Sequence, residues 1–234
     1  MAARLPQDCR QADMIITDSQ FSKAEICDLL AVPPEKVAVA YLAPPFPPCR
    51  KADGGGAARR PDVVPPGPFF LFVGSIEPRK NITMLLDAFA AFRQTTPAAR
   101  LVLIGKPGWR GGELAGRIGC APGVHWVQAC SGETLSALYR QATALFLVSR
   151  CEGFGLPVVE AMAHGCPVCC ATGSSMDEVA GGAAVMVAPS DKDAIVDAMR
   201  AFGHDPGLCR RHAELGTRRA EFFTWGETAR QTLA

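Results

Sequence analysis

Residues 144–160 read ALFLVSRCEGFGLPVVE and contain, in order, a strand-like apolar run, a glycine-rich loop and the start of a helix. The run ALFLV (144–148) is apolar throughout, which is typical of a strand covered on both faces of a sheet. Proline is tolerated in the first turn of a helix, so a helix is predicted from Pro157 to His164. The order strand, loop, helix is the repeating unit of an α/β protein.

The same pattern extends to both sides of this stretch. Short apolar runs predict further strands at FFLFVG (69–74), LVLIG (101–105), VHWV (124–127), PVCCA (167–171) and AVMV (184–187). Helical patterns lie between them, from Asn81 to Thr95, Ser131 to Gln141 and Asp191 to Phe202. This alternation predicts an α/β fold with a doubly wound, Rossmann-like parallel sheet. Ligands bind at the carboxyl ends of the strands in such sheets, so the loops after strands are the candidate site.

Composition excludes several classes of protein. The chain has 234 residues, a formal net charge of +1 and 48% hydrophobic residues, which is typical of a globular domain. The near-zero charge argues against nucleic acid as a partner, and no apolar run approaches the roughly 20 residues that a membrane span needs. The start of the chain, MAARLPQDCRQAD (1–13), lacks the apolar centre of a secretory signal. We therefore expect a cytoplasmic protein with at most peripheral membrane contact.

The N-terminal residues predict a separate strand–helix–strand unit. MIIT (14–17) predicts a short strand, a helical pattern follows it, and residues 37–41 predict a second strand. Ser22 and Glu25 have the spacing of a capping box at the start of the helix, but Ser19 is an equally good cap.

Two adjacent cations follow the strand at 69–74. The loop GSIEPRKN (74–81) places Arg79 and Lys80 beside Asn81, a good N-cap for the next helix. Anions are favoured at helix N-termini, and a guanidinium together with an ammonium suits a diphosphate. The alternative for this loop taken alone is a solvated Arg–Lys pair on a turn.

The loop after the strand at 144–148 carries two glycines and two carboxylates. Gly153 and Gly155 let the backbone approach a ligand closely, and Pro157 places the free N–H groups at the positive end of a helix. Glu152 lies in the loop and Glu160 about one turn into the helix. Carboxylates on both sides of a phosphate cradle suit hydroxyl groups, one set on a sugar and the other on a ribose. A helix cap with a surface glutamate is the alternative, and it leaves the two glycines unexplained.

These motifs resemble glycosyltransferase family 4, a family of retaining enzymes with the GT-B fold. EGFGLPVVE (152–160) matches its Glu–seven residues–Glu pattern, and FLFVGSIEPRKN matches its diphosphate loop. The resemblance implies that Arg79 and Lys80 hold the donor diphosphate and stabilise it as it departs. It also implies that Glu152 contacts the transferred sugar and Glu160 the ribose, with no metal or other cofactor. The remaining donor-binding residues that it implies are Gly74, Phe154, Gly155 and Leu156.

Residues 10–43 resemble the last strand–helix–strand of that family's N-terminal domain, and the preceding acceptor-binding part has no match. The predicted organisation is a remnant of the acceptor-side domain at 1–43, a Pro/Gly-rich linker at 44–68 and a nucleotide-sugar-binding domain at 69–234. The helix after Trp225 is expected to cross back onto the N-terminal side. Because one helix and two strands make too small a sheet, we expect self-association or an N-terminal-domain partner.

The predicted function is transfer of a sugar, with retention, from a nucleotide-diphosphate sugar to a glycan or lipid-linked acceptor, as in polysaccharide biosynthesis. The donor is expected to be of the mannosyl or glucosyl type. One alternative is a non-catalytic nucleotide-sugar-binding remnant, or one subunit of a split glycosyltransferase. A more distant alternative is a redox or metal protein built on CPVCC (166–170). That segment lacks the second Cys or His pair of a tetrahedral metal site, so its cysteines are expected to be structural.

Overall fold

The computed structural model describes residues 5–45, 64 and 66–233. Most of the predicted linker at 44–68 therefore lies outside the described residues. The helices are α1 (Leu5–Gln11), α2 (Gln20–Leu30), α3 (Ile82–Thr95), α4 (Gly111–Gly119), α5 (Gly132–Gln141), α6 (Leu156–Ala163), α7 (Ser175–Ala180), α8 (Lys192–His204), α9 (Pro206–Ala220) and α10 (Trp225–Leu233). The strands are β1 (Ile15–Thr17), β2 (Val37–Val39), β3 (Phe70–Val73), β4 (Leu101–Ile104), β5 (Val124–Val127), β6 (Ala144–Leu147), β7 (Val168–Ala171) and β8 (Val185–Val187).

The larger sheet is parallel, with the strand order β5-β4-β3-β6-β7-β8. Its inner strands are fully buried because helices cover both faces, which explains why they read as unbroken apolar runs. Aromatic side chains from β3, β6 and the covering helices pack edge to face in the core, with Phe70 between Phe92 and Phe146. The predicted doubly wound, Rossmann-like sheet is confirmed.

The strand order reverses between β3 and β6. The chain runs outward from β3 through β4 to β5, then returns to β6 and runs outward on the other side. The loops that leave β3 and β6 therefore diverge, and this topological switch point is where doubly wound sheets bind ligands. These are the two loops that carry the predicted site residues.

Glycine at position 105 permits a close approach of the loops after β3 and β4. Gly105 has a φ of 149°, and a Cβ built on it would lie 1.9 Å from the carbonyl oxygen of Gly74. The hydrogen bond from Gly74 N to Ile104 O, at 2.9 Å, continues the β3–β4 pairing up to this point. Since no side chain fits between the two backbones, Gly105 sets the position of the residue at which the Arg79–Lys80 loop begins.

The N-terminal unit has the predicted strand–helix–strand form. β1 and β2 pair in parallel, from Ile15 opposite Val37 to Thr17 opposite Val39. Ser19 is the N-cap of α2, and its Oγ accepts a hydrogen bond from Ser22 N at 2.9 Å, which decides between the two capping residues considered from the sequence. Apolar side chains remain exposed on this unit, including Ile16 at 49%.

Asn81 occupies the predicted N-cap position of α3, but it does not cap the helix through its side chain. Asn81 has a φ of 58°, in the left-handed region, and its side chain makes no capping bond. Its amide nitrogen instead donates to Val148 O at 3.0 Å and Pro189 O at 2.7 Å. Asn81 thus joins the ends of β3, β6 and β8, because its buried amide must find acceptors among the carbonyls that leave the sheet.

The CPVCC segment forms part of the buried core. Cys169 and Cys170 lie in β7, and Cys166 is also buried. Burial raises the pKa of the Cys166 and Cys170 thiols to about 12, so they stay protonated at neutral pH and are poor nucleophiles and metal ligands. Among the described residues, no group of three or more His, Cys, Asp or Glu side chains is arranged to hold a metal ion. None of the described helices combines the length and apolar character of a membrane span.

Candidate active site

Three of the predicted site residues, Arg79, Lys80 and Glu152, meet where the loops after β3 and β6 face each other. Arg79 and Lys80 lie in a short 3₁₀ turn, Pro78–Lys80, that precedes α3. The backbone of this turn is tied to the second loop by a hydrogen bond from Arg150 N to Arg79 O, at 2.9 Å. The structure therefore brings together residues more than 70 positions apart in the sequence.

The carboxylate of Glu152 lies between the two cations. Lys80 Nζ contacts Glu152 Oε1 at 2.6 Å, and Arg79 Nη1 contacts Oε2 at 2.8 Å. Ser149 Oγ donates a further hydrogen bond to Oε1 at 2.6 Å. Glu152 is 5% exposed and Lys80 8% exposed, so this is a buried ion pair in which both carboxylate oxygens accept hydrogen bonds. The alternative of a solvated Arg–Lys pair on a turn is wrong.

These contacts determine the charge of the site. Burial by itself would raise the pKa of Glu152, but the charge and hydrogen bond of Lys80, with those of Ser149 and Arg79, outweigh it and lower the pKa. Burial also opposes the charge of Arg79, and its bonds to Glu152 and Glu77 nevertheless raise its pKa. Glu152 and Arg79 are therefore ionised at neutral pH, and the Glu152 carboxylate lies against the cations of Arg79 and Lys80.

Arg79 has donors to spare for a ligand. Its side chain is 47% exposed, and beyond Glu152 it donates to Cys151 O at 2.9 Å and to Glu77 Oε1 at 2.8 Å. The guanidinium has five N–H donors and an ammonium three. Pairing with Glu152 therefore orients the two cations without using all of their donors.

Glu160 is held by a buried tyrosine. It lies in α6, is 7% exposed, and its Oε2 accepts a hydrogen bond from Tyr139 OH at 2.6 Å. His164 stacks on Tyr139, with ring centroids 5.5 Å apart, and its Nδ1 lies 2.7 Å from Glu160 O. Burial raises the pKa of Glu160, and the Tyr139 hydrogen bond only partly offsets that effect. The tyrosine therefore orients the Glu160 carboxylate through one of its two oxygens.

The residues between the two glutamates contribute backbone rather than side chains. Phe154 is 3% exposed, and its ring packs against Tyr41 and Phe223 at centroid distances of 6.2 and 5.7 Å. Gly155, with a φ of 90°, is the N-cap of α6, and Leu156 is the first residue of that helix. The Phe154 ring thus packs against other aromatic side chains. The N–H groups at the start of α6 are suited to binding an anion.

Sequence reasoning did not identify Ser149, Ser175 or Tyr139. Ser149 bonds the Glu152 carboxylate, and Ser175 Oγ donates to Glu152 O at 2.8 Å. Ser149 is adjacent to the predicted loop, so its position was a usable signal. Ser175 and Tyr139 come from other parts of the chain and carry no local pattern that distinguishes them from core residues.

The model of the family described as "Glycosyl transferases group 1" matches residues 59–219. The chain belongs to this family. The resemblance to GT-B glycosyltransferases found in the sequence is thereby confirmed, and Arg79, Lys80, Glu152 and Glu160 all lie within the matched residues of this glycosyl transferase chain.

Curated relatives and solved structures agree with this assignment. The chain is 30% identical over 239 residues to O-antigen chain mannosyltransferase B of Escherichia coli, covering 100% of this chain and 62% of that protein. It is 30% identical to MMP alpha-(1->4)-mannosyltransferase of Mycolicibacterium hassiacum, covering 96% of this chain and 54% of that protein. Among structures, a sucrose-phosphate synthase from Thermosynechococcus elongatus superimposes with a TM-score of 0.82 at 24% identity, over 99% of this chain and 60% of that one. Anabaena HepE, in complex with UDP and glucose, has a TM-score of 0.80 at 18% identity, over 99% of this chain and 65% of that one. This glycosyl transferase chain thus spans about three fifths of the length of the first of these relatives.

The ionisation of Glu152 makes the stability of the chain sensitive to acid. A carboxylate whose pKa is lowered by folding stabilises the fold above its ordinary pKa of 4.5, and that stabilisation is lost as the pH falls through the lowered value. Glu152→Gln leaves the buried Lys80 without its counterion and is expected to lower stability at pH 7 by about 3–5 kcal/mol. Denaturant unfolding should show the wild type and Glu152→Gln converging as the pH falls from 7 to 3.

The exposed Glu133→Gln variant serves as the control and should follow the wild type at every pH. A constant gap between wild type and Glu152→Gln across this range would show that folding does not lower the pKa of Glu152.

Proposed function

We propose that this chain is the donor-binding part of a retaining glycosyltransferase that transfers a hexose from a nucleotide-diphosphate sugar. The observation that carries the proposal is the buried Lys80–Glu152–Arg79 cluster at the switch point of a doubly wound sheet. Such a position accepts nucleotides, and the cluster combines cations for phosphates with a carboxylate for sugar hydroxyls. Membership in the glycosyl transferase family supports the same conclusion.

In this proposal the cations act on the leaving group. Negative charge builds on the departing diphosphate as the glycosidic bond breaks, and Arg79 and Lys80 stabilise that charge where it develops. The N-terminus of α6, near Leu156, adds backbone N–H groups and the positive end of the helix dipole. This arrangement requires no metal cofactor.

The two glutamates take different parts of the donor. Glu160, with Oε2 fixed by Tyr139, offers its other oxygen to the ribose hydroxyls. Glu152, fixed by Lys80, Arg79 and Ser149, orients the hydroxyls of the transferred sugar. A mannosyl or glucosyl donor is proposed because the relatives named above include mannosyltransferases and a protein solved with UDP and glucose. The proposed acceptor is a glycan or a lipid-linked sugar, as the name of the O-antigen relative suggests.

A second candidate is one part of a split glycosyltransferase, or a donor-binding remnant without transfer activity. It is favoured by the exposed apolar residues of the N-terminal unit, Met14 at 55% and Ile16 at 49%. The chain also spans only 62% of the length of the O-antigen mannosyltransferase. In this case the acceptor site is completed by another polypeptide.

Arg79→Ala is expected to weaken the binding of a nucleoside diphosphate by about 1.5–3 kcal/mol, because charge-assisted hydrogen bonds are worth that much. Calorimetry with UDP and GDP measures the effect. Lys80→Ala should weaken binding as well, but it leaves the buried Glu152 carboxylate without its counterion. The free energy of unfolding of this variant must therefore be measured together with its nucleotide affinity. Arg200→Ala, which removes an exposed cation on α8, is the matched control and should bind like the wild type. Unchanged affinity of Arg79→Ala for both nucleotides would show that Arg79 does not bind the diphosphate.

Glu160→Gln and Glu152→Gln are expected to change ligand affinities differently, because Glu160 is proposed to bind the ribose and Glu152 the transferred sugar. Glu160→Gln should weaken UDP and UDP-glucose, or GDP and GDP-mannose, by the same factor, since both members of each pair contain the ribose. Glu152→Gln should weaken only the nucleotide sugar, because removing its negative charge does not weaken the attraction of Lys80 for phosphate. Titrations of each pair of ligands measure the two ratios, and the opposite pattern would exchange the two roles.

The chain by itself is expected to bind a donor without transferring the sugar. Alignment of donor and acceptor in a closed cleft can contribute roughly 7–11 kcal/mol to lowering the barrier, and the acceptor is expected to come from the other half of a two-domain enzyme. The measurement is transfer from UDP-glucose and GDP-mannose to glycan and lipid-linked acceptors, with and without the separately expressed N-terminal domain of a related enzyme.

Transfer only with the added domain would identify a split enzyme, and donor binding without transfer in either mixture would favour the remnant. Efficient transfer by the chain alone would contradict this prediction, since it would place a working acceptor site within these residues.

A further inference from the structure

Glu178, on α7, caps the start of a helix that is distant in the sequence. Its Oε1 accepts a hydrogen bond from Phe21 N at 2.9 Å, and its Oε2 accepts one from Gln20 N at 3.1 Å. Oε2 also accepts from Tyr41 OH at 3.0 Å. The first N–H groups of a helix have no partner within the helix, so a carboxylate from the nucleotide-binding domain satisfies two free donors of the N-terminal unit.

The position of Glu178 is itself fixed from the other side. Arg219 Nη2 donates to the carbonyl oxygen of Glu178 at 2.6 Å, and Arg219 Nε donates to Val179 O at 3.0 Å. The Arg219 guanidinium also lies over the ring of Phe223, 5.0 Å from its centroid. The Glu178 carboxylate is therefore presented to α2 by a short helix that is held at its C-terminal end.

The helix start that Glu178 holds reaches the loop of the candidate site. Ser19 Oγ donates to Gly153 O at 2.6 Å, and Ser22 Oγ donates to the same oxygen at 3.2 Å. Gly153 follows Glu152 directly, and the carbonyl of Glu152 accepts a hydrogen bond from Ser175 Oγ at 2.8 Å. The carbonyl of Gly153 thus accepts hydrogen bonds from hydroxyls at the start of α2, and the carbonyl of Glu152 accepts one from a hydroxyl at the start of α7. Together these bonds hold the backbone that carries the Glu152 side chain.

We propose that Glu178 is a positioning residue for the donor sugar: by holding the start of α2, it fixes the Gly153 carbonyl and thereby the direction of the Glu152 side chain. The inference rests on the proposed role of Glu152 in sugar binding. Arg79 lies on the loop after β3 and is also bonded to Glu77, and Glu160 lies in α6 and is held by Tyr139. α2 acts on Arg79 indirectly, through the bond between Arg79 and Glu152. Glu178 is therefore expected to affect recognition of the sugar more than recognition of the nucleoside diphosphate.

Glu178→Gln tests this role with little change in shape. A side-chain amide has only one acceptor oxygen, and its NH₂ group would face a second donor. One of the two N–H groups of Gln20 and Phe21 therefore loses its partner. We expect the affinity for UDP-glucose or GDP-mannose to fall roughly tenfold, and the affinity for UDP or GDP to stay within about twofold. Equal losses for the nucleotide and the nucleotide sugar would overturn the proposal.

Two further variants separate this role from a general loss of stability. Tyr41→Phe removes the third bond to Glu178 but keeps the contacts with α2 and the ring packing, so it should bind both kinds of ligand like the wild type. Ser19→Ala breaks the bond to Gly153, and in combination with Glu178→Gln it should cost less than the sum of the single changes, because both act on one link. Strict additivity would overturn the link through α2. Glu214→Gln, on the exposed face of α9, is the charge control.

Hydrogen exchange of the ligand-free chain tests the positioning role apart from the proposed function. In Glu178→Gln we expect faster exchange in residues 19–23 and also in residues 150–156, with the strands of the larger sheet unchanged. Faster exchange in 19–23 alone would overturn the proposal even if the donor binds as expected. Faster exchange in both segments, with no nucleotide binding by the wild type, would support the positioning role and refute the proposed function.

Discussion

The contact between Glu152 and Lys80 is the interaction on which the rest of the site depends. Removing a carboxylate and an ammonium from water costs free energy. Each charge is tolerated in the interior because the other is 2.6 Å away, and Ser149 donates a further hydrogen bond to the carboxylate. The pair joins the loop after β3 to the loop after β6. It therefore fixes the relation between the cations proposed to hold a diphosphate and the glycine-rich loop proposed to hold a sugar.

The sheet places these two loops side by side before any side chain contributes. Strand order β5-β4-β3-β6-β7-β8 makes the chain diverge at β3 and β6, so the crevice between them is a consequence of topology. Two local features then bring neighbouring loops together. Gly105 admits the backbone of Gly74, and Asn81 joins the ends of β3, β6 and β8 through hydrogen bonds to two carbonyls. Backbone geometry therefore places the two loops, and the contacts of Glu152 with Lys80 and Arg79 connect them.

The N-terminal unit takes part in this construction although it lies outside the larger sheet. Tyr41 packs on Phe154, and the hydroxyls of Ser19 and Ser22 bond the carbonyl of Gly153. The glycine-rich loop is therefore held from two sides, by its own domain and by a segment that precedes the predicted linker. This connection links the N-terminal unit to the loop proposed to hold a sugar.

The amino-acid sequence alone predicts the fold class correctly and yields the proposed site residues. Unbroken apolar runs and helical periodicity are local properties, so the strands of the larger sheet and helices α3, α5, α6 and α8 were predicted nearly to their ends. Arg79, Lys80, Glu152 and Glu160 stand out because they lie in two recognisable motifs. The contacts of Glu152 with both cations, of Tyr139 with Glu160 and of Glu178 with the start of α2 are visible only in the folded structure. Each of these contacts joins residues on different elements, and the free energy of a buried polar group depends on partners that no local pattern specifies.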